Sequence, residues 1–132
     1  MSLLLKSLKD EVIECFYDVY NELGYGFLEK VYQNSMYLEL ISRGFQVEAQ
    51  KQIIVYYKGK AVGEYFADLV VNKKVILELK AADAMVKEFD WQLLNYLRGT
   101  DIEVGLLLNF GKKPEFIRRV FSNSNKIRVH PR

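Results

Sequence analysis

The sequence predicts one α/β domain with its elements in the order α, α, β, β, β, α, β, followed by a C-terminal extra. Three observations carry this reading. Two N-terminal stretches repeat apolar residues at spacings of three and four, the period of an amphipathic helix. The stretches between residues 45 and 80 are rich in β-branched and aromatic residues and are separated only by short turn sequences, the pattern of an antiparallel meander. Later, Val104-Gly105-Leu106-Leu107-Leu108 is apolar without alternation, as in a central strand buried on both faces. Loops are short, and no repeat, linker or low-complexity segment interrupts the 132 residues, so a single domain over 1–132 is the economical arrangement.

The first helix spans residues 7–23, where Leu8, Val12, Cys15, Phe16, Val19 and Leu23 form one stripe. Gly24 and Gly26 end it. A second helix runs from about Leu28 to Arg43, with Leu28, Val31, Tyr32, Ser35, Leu38 and Ile41 expected to face inward, and Gly44 stops it. Phe45–Tyr57 is strand-like, Lys58-Gly59 makes the turn, and Ala61–Val71 returns. Asn72, Lys73 and Lys74 turn the chain into a third strand, Val75–Lys80. After a loop over residues 81–87 comes a helix from about Glu88 to Gly99, then the apolar strand Val104–Phe110. Residues 116–129 fit a short helix or a strand with a strand-like tail, and the pattern does not choose between them.

Composition excludes several classes of chemistry. One cysteine, Cys15, rules out an internal disulfide and agrees with a reducing compartment. It lies on the first helix's apolar stripe, as an inert buried thiol would. The single histidine, His130, sits in the tail. A Cys/His zinc site is therefore excluded, and Ser-His-Asp or Cys-His catalysis is disfavoured. A metal would have to be held by carboxylates, which favours magnesium or manganese. No apolar run approaches membrane-spanning length, and Met1–Lys6 is too short an apolar stretch for a signal peptide, so the expected location is cytoplasmic, away from membranes.

Net charge is +2, but residues 111–132 hold seven Lys/Arg and one acid, Glu115, leaving the rest net acidic. Lys112, Lys113, Arg118 and Arg119 are the candidate contacts to a polyanion such as nucleic acid. A solvated basic tail is the plain alternative.

The chemistry-bearing stretch is Asp68 to Lys80. Side chains alternate along a strand, so Glu78 and Lys80 share a face, and Asp68 can stand opposite on the neighbouring strand. Two acids and an ammonium in apolar strands are expensive if merely buried. They suit a divalent cation beside a phosphate. A structural ion pair between Lys80 and one of the acids is the competing explanation. Glu29 sits in the first turn of the second helix, where a carboxylate is also favoured by the helix dipole alone. Gln92 and Tyr96 are four apart on one helix face, able to position a water or phosphate oxygen, or to serve as ordinary boundary residues.

These residues resemble a known family. Gly26-x-x-Glu29-x-x-Tyr32 is similar to the signature of GxxExxY proteins. Asp68, nine residues, then Glu78-x-Lys80 resembles the D-(x)n-E-x-K core of the PD-(D/E)XK nuclease superfamily, and Gln92-x-x-x-Tyr96 resembles the helix motif of its RecB-like branch. The resemblance covers about residues 8–120. It implies a mixed sheet with an αβββαβ core flanked by helices. It also implies Glu29, Asp68 and Glu78 as ligands for Mg2+ or Mn2+, with the Leu79 carbonyl as an optional addition. Lys80, Gln92 and Tyr96 would be the catalytic set. Hydrolysis of phosphodiester bonds in DNA follows as the expected activity, and a weak or inactive module binding nucleic acid or a protein partner is the alternative. With no room for a separate sequence-reading domain, specificity would come from such a partner or from a homodimer. Where family members often carry His, Arg and His, this chain has Tyr20, Phe66 and Phe89.

Overall fold

The structure, a computed structural model, describes residues 3–126. The basic residues Arg128 and Arg132, and His130, lie outside them. The order is α1 (Leu3–Leu23), α2 (Glu29–Ser42), β1 (Val47–Tyr57), β2 (Lys60–Val71), β3 (Val75–Lys80), α3 (Lys87–Arg98), β4 (Val104–Phe110) and β5 (Pro114–Val120), then a 3-10 turn at Asn123–Asn125. The five strands lie in the sheet in chain order. All neighbours are antiparallel except β3 and β4, so the sheet is mixed, as the resemblance implied. A parallel pair needs a crossover, and α3 supplies it.

Parity along the strands sorts the core into two layers. Val75, Leu77 and Leu79 of β3 join Val104, Leu106, Leu108 and Phe110 of β4 beneath α1 and α2. Ile76 and Leu107 face the other way and pack with Leu93, Tyr96 and Leu97 of α3. β4 is buried along its whole length, which is why its sequence does not alternate. Helix α3 comes so close to β4 that a Cβ on Gly105 would stand 2.6 Å from Leu93 Cδ1, so any side chain here would have to displace Leu93. No helix among the described residues is long and apolar enough to cross a membrane.

One open choice is settled and one expectation is corrected. The C-terminal stretch begins with an edge strand, β5, paired antiparallel with β4 from Phe110↔Pro114 to Val104↔Val120. Helix α2 buries Tyr32 as expected, but the rest of its inward face is not the expected one. Tyr32, Gln33, Met36 and Leu40 point inward, whereas Leu28 and Leu38 are 81% and 67% exposed and Ile41 is also exposed. The helix carries apolar residues on both sides, so its phase cannot be read from hydrophobicity alone. What selects the buried face is Tyr32, whose ring stacks on Phe110 with centroids 4.3 Å apart.

Strands β2 and β3 pair only over Leu69–Val71 and Val75–Leu77. Beyond Leu69 they part, while β1 and β2 stay paired out to the Tyr57↔Lys60 turn. The point of parting is where the acidic residues lie.

Candidate active site

Where the β2–β3 ladder ends, two carboxylates take over the backbone donors that the missing bonds would leave open. Glu78 Oε1 accepts from the Asp68 N–H at 3.1 Å. Asp68 Oδ2 accepts from the Leu79 N–H at 2.8 Å. The same bonds that satisfy the backbone thus hold the two acids against each other. Glu78 is 2% exposed. Burial, and then the charge of Asp68, push its carboxyl up to about 9. Asp68 is also raised, chiefly by burial, against the opposing pull of the Leu79 N–H and Lys80. Burial and the neighbouring acid therefore both disfavour the charged form of Glu78.

Glu29 comes from α2. Gly24 and Gly26 have φ of +68° and +107°, a backbone that only glycine adopts easily, and they turn the chain sharply into the helix. The Tyr32 hydroxyl locks that turn by donating to the Gly24 carbonyl at 2.7 Å and accepting from the Phe27 N–H at 3.2 Å. Glycine and tyrosine thus place the helix start, and Glu29 with it. Glu29 is raised by burial, with Lys80 pulling it down and Asp68 pushing it up, so it stands within electrostatic reach of both.

Lys80 forms no close ion pair with either acid among the described residues. Its Nζ donates to Gln92 Oε1 at 3.0 Å and lies 4.9 Å from the centre of the Phe89 ring. Gln92 Nε2 in turn donates to the Tyr96 hydroxyl at 2.9 Å. Burial, then Glu78, raise the Tyr96 phenol to about 12, so it stays protonated. The three residues expected as a catalytic set are therefore one hydrogen-bonded chain, ending in an ammonium held beside the acids.

Three polar residues of the site had not been singled out. Gln33, one turn after Glu29, accepts from Gln50 of β1 at 3.0 Å. Asn109, fully buried in β4, accepts from the Ala82 N–H and donates to the Ala82 carbonyl, both at 3.0 Å. It pins the chain two residues after Lys80. Asn109 was detectable in principle, because an amide in an otherwise apolar strand must find partners. The glutamines carried no such signal.

The basic candidates do not gather in one place. Lys112 and Lys113 are exposed in the β4–β5 turn. Arg118 and Arg119 alternate to opposite faces of β5. Arg118 is exposed, while Arg119 spans to α3, with Nε 2.8 Å from Asp90 Oδ1. Of the positions where family members carry other residues, Tyr20 donates to the Gly111 carbonyl at 2.7 Å and Phe66 is exposed.

The donor chemistry suits a hard divalent cation: carboxylate oxygens, largely removed from solvent, whose mutual repulsion a cation would relieve. Asp68 and Glu78 are already paired for this. Among the described residues, no three acidic, histidine or cysteine side chains are drawn together as an ion cage.

Comparison with known proteins agrees with this geometry. The crystal structure of SSO0001 is similar with a TM-score of 0.57 at 15% identity, over 70% of this chain and 50% of that one, a likeness of fold. This chain thus spans about half of that protein's length. No curated protein matches in sequence. A family model of the PD-(D/E)XK nuclease superfamily matches residues 6–120. With that match over most of its length, and with an acid pair and a lysine meeting where β2 and β3 part, the chain belongs to the PD-(D/E)XK nuclease superfamily.

Proposed function

We propose that this protein is a metal-dependent nuclease that hydrolyses phosphodiester bonds in DNA, a GxxExxY-type member of the RecB-like branch. The observation that carries the reading is the position of Lys80. A structural lysine would bond to the buried acids beside it, yet this one is held by an amide, with its charge unspent. Asp68, Glu78 and Glu29 would hold Mg2+ or Mn2+. Such an ion, when bound, supplies Lewis acidity towards a phosphate and lowers the pKa of water. Lys80 offsets negative charge developing on the phosphate oxygens, and charge placed in advance in this way favours the transition state over the ground state. Gln92 and Tyr96 hold the ammonium, and Asn109 holds the loop that follows it. Lys112, Lys113 and Arg118 are the surface cations available to the DNA backbone.

A second reading, a nuclease-fold module that binds nucleic acid or a protein partner with little turnover, is favoured by Phe66 and Phe89. They place apolar rings where polar groups could have contacted phosphate.

The test is cleavage of supercoiled, linear and single-stranded DNA with Mn2+, comparing the parent with Lys80→Ala. The parent should cleave, and the variant should lose on the order of a hundredfold in rate while melting at nearly the parent temperature. A parent that binds DNA but never cuts it hands the assignment to the second reading. A variant that melts far lower in a way Mg2+ does not repair would make Lys80 a structural residue.

A further inference from the structure

We propose that Gln33 and Gln50 act as positioning residues that set the orientation of the Asp68 carboxylate for metal binding; this rests on the metal-dependent reading above. Gln50 lies in β1 level with Asp68, since Ala49 pairs with Leu69 and Lys51 with Ala67 on either side of it. Its φ is +52°, a left-handed backbone in the middle of a strand, at a residue with a side chain. L-residues disfavour this conformation, and it persists where something else requires it. The departure is confined to the one residue that faces the candidate ligand.

The side chain shows what the conformation serves. An amide NH2 has two hydrogens. Gln50 directs one to Gln33 Oε1 at 3.0 Å. Its side chain also faces the Asp68 carboxylate across the ladder and favours that group's charged form. The orientations of the two amides are coupled through this bond. Because Gln33 presents an oxygen, Gln50 must present its nitrogen, and so offers Asp68 a donor and not a repelling carbonyl. Asp68 Oδ2 is meanwhile held from the other side by the Leu79 N–H. The carboxylate thus lies between the Leu79 N–H of β3, which it accepts from, and the Gln50 side chain of β1.

Gln33 is also nearly buried and sits four residues after Glu29, on the same face of α2. The relay therefore ties the helix that carries Glu29 to the strand that carries Asp68. Outer partners of metal ligands act in this way generally: they do not touch the ion, and their loss weakens its binding by about 10- to 100-fold.

The experiment measures Mn2+ affinity by calorimetry in the DNA-free protein, alongside melting temperature, for the parent, Gln50→Gly and Gln33→Met. Glycine suits the left-handed backbone, so Gln50→Gly should melt at or above the parent temperature while binding Mn2+ about tenfold more weakly. Gln33→Met should show a smaller loss of affinity, and the double variant should be no worse than Gln50→Gly alone, because both remove one relay. Parent-like Mn2+ affinity in Gln50→Gly would overturn the proposal and leave the nuclease reading standing. So would a fall in melting temperature with affinity unchanged, which is what a purely structural clasp predicts. A parent that takes up no Mn2+ would overturn the metal-dependent reading and this inference with it.

Discussion

Two clusters in this molecule have the same composition, three acids and one base, and opposite designs. In the first, Arg43 at the end of α2 meets Glu39 at 2.9 Å, Asp18 at 2.5 Å and Glu14 at 3.4 Å. Every acid has the cation in reach, and Arg43 holds its proton more tightly than usual because Glu39 and Asp18 accept its hydrogen bonds. In the second, Lys80 stands within electrostatic reach of Glu29, Asp68 and Glu78 but turns to Gln92. All three acids are pushed up towards their neutral forms. The first cluster is complete and ties α1 to α2 at the surface. The second stays under electrostatic tension that a cation would relieve. The contrast shows that two charge clusters of like composition differ in how their charges are matched.

Four measurements would break or sharpen that contrast. The largest effect concerns Cys15, buried beneath the Arg43 cluster, where burial pushes the thiol up to about 12. A raised thiol pKa suppresses the thiolate, so alkylation at pH 8 should run about a thousandfold more slowly in the native protein than in the unfolded chain. Rapid labelling of the native protein would mean that α1 and α2 part easily, and the first cluster would not be the clamp described.

Next is Glu78→Gln. Mn2+ at a hundredfold over its dissociation constant should stabilise the parent by about 2.7 kcal/mol. The variant should lose that response. Its metal-free melting temperature should not fall, because a neutral amide avoids the repulsion from Asp68. A full Mn2+ response in Glu78→Gln would place the ion elsewhere.

Arg43→Ala should cost less than about 1.5 kcal/mol, and less still at high salt, because exposed ion pairs are screened. Its Mn2+ affinity should match the parent's. A loss of Mn2+ affinity would show that the two clusters communicate through α2.

The smallest effect separates the two arginines of β5. Arg118→Ala should reduce the salt slope of DNA binding by about one unit. Arg119→Ala should leave the slope nearly unchanged and loosen α3 instead, since its partner is Asp90. Equal slopes for both variants would mean that the Arg119–Asp90 pair opens when DNA binds.

Much of the architecture was legible in the residues alone, for a local reason. Period two in Val75–Lys80 put Glu78 and Lys80 on one face, and acids set among apolar strand residues announced partners that had to be nearby. The unbroken apolar run of β4 announced burial on both sides. Turns with Asn72 and Lys58-Gly59 adopt the positive φ that such positions favour.

What only the tertiary structure decided are relations between segments distant in the chain. The buried face of α2 depended on Tyr32 meeting Phe110, because the helix is apolar on both sides and its own pattern is degenerate. Arg118 and Arg119 look like one basic patch in the sequence, yet a strand sends neighbours to opposite faces. Gln33 and Gln50 are unremarkable amides until a left-handed residue and a helix turn bring them together beside Asp68. That Lys80 bonds to Gln92 and not to an acid is likewise visible only once the chain is folded. Composition and spacing can place charges on a common face, but only the packed chain determines which of them are paired.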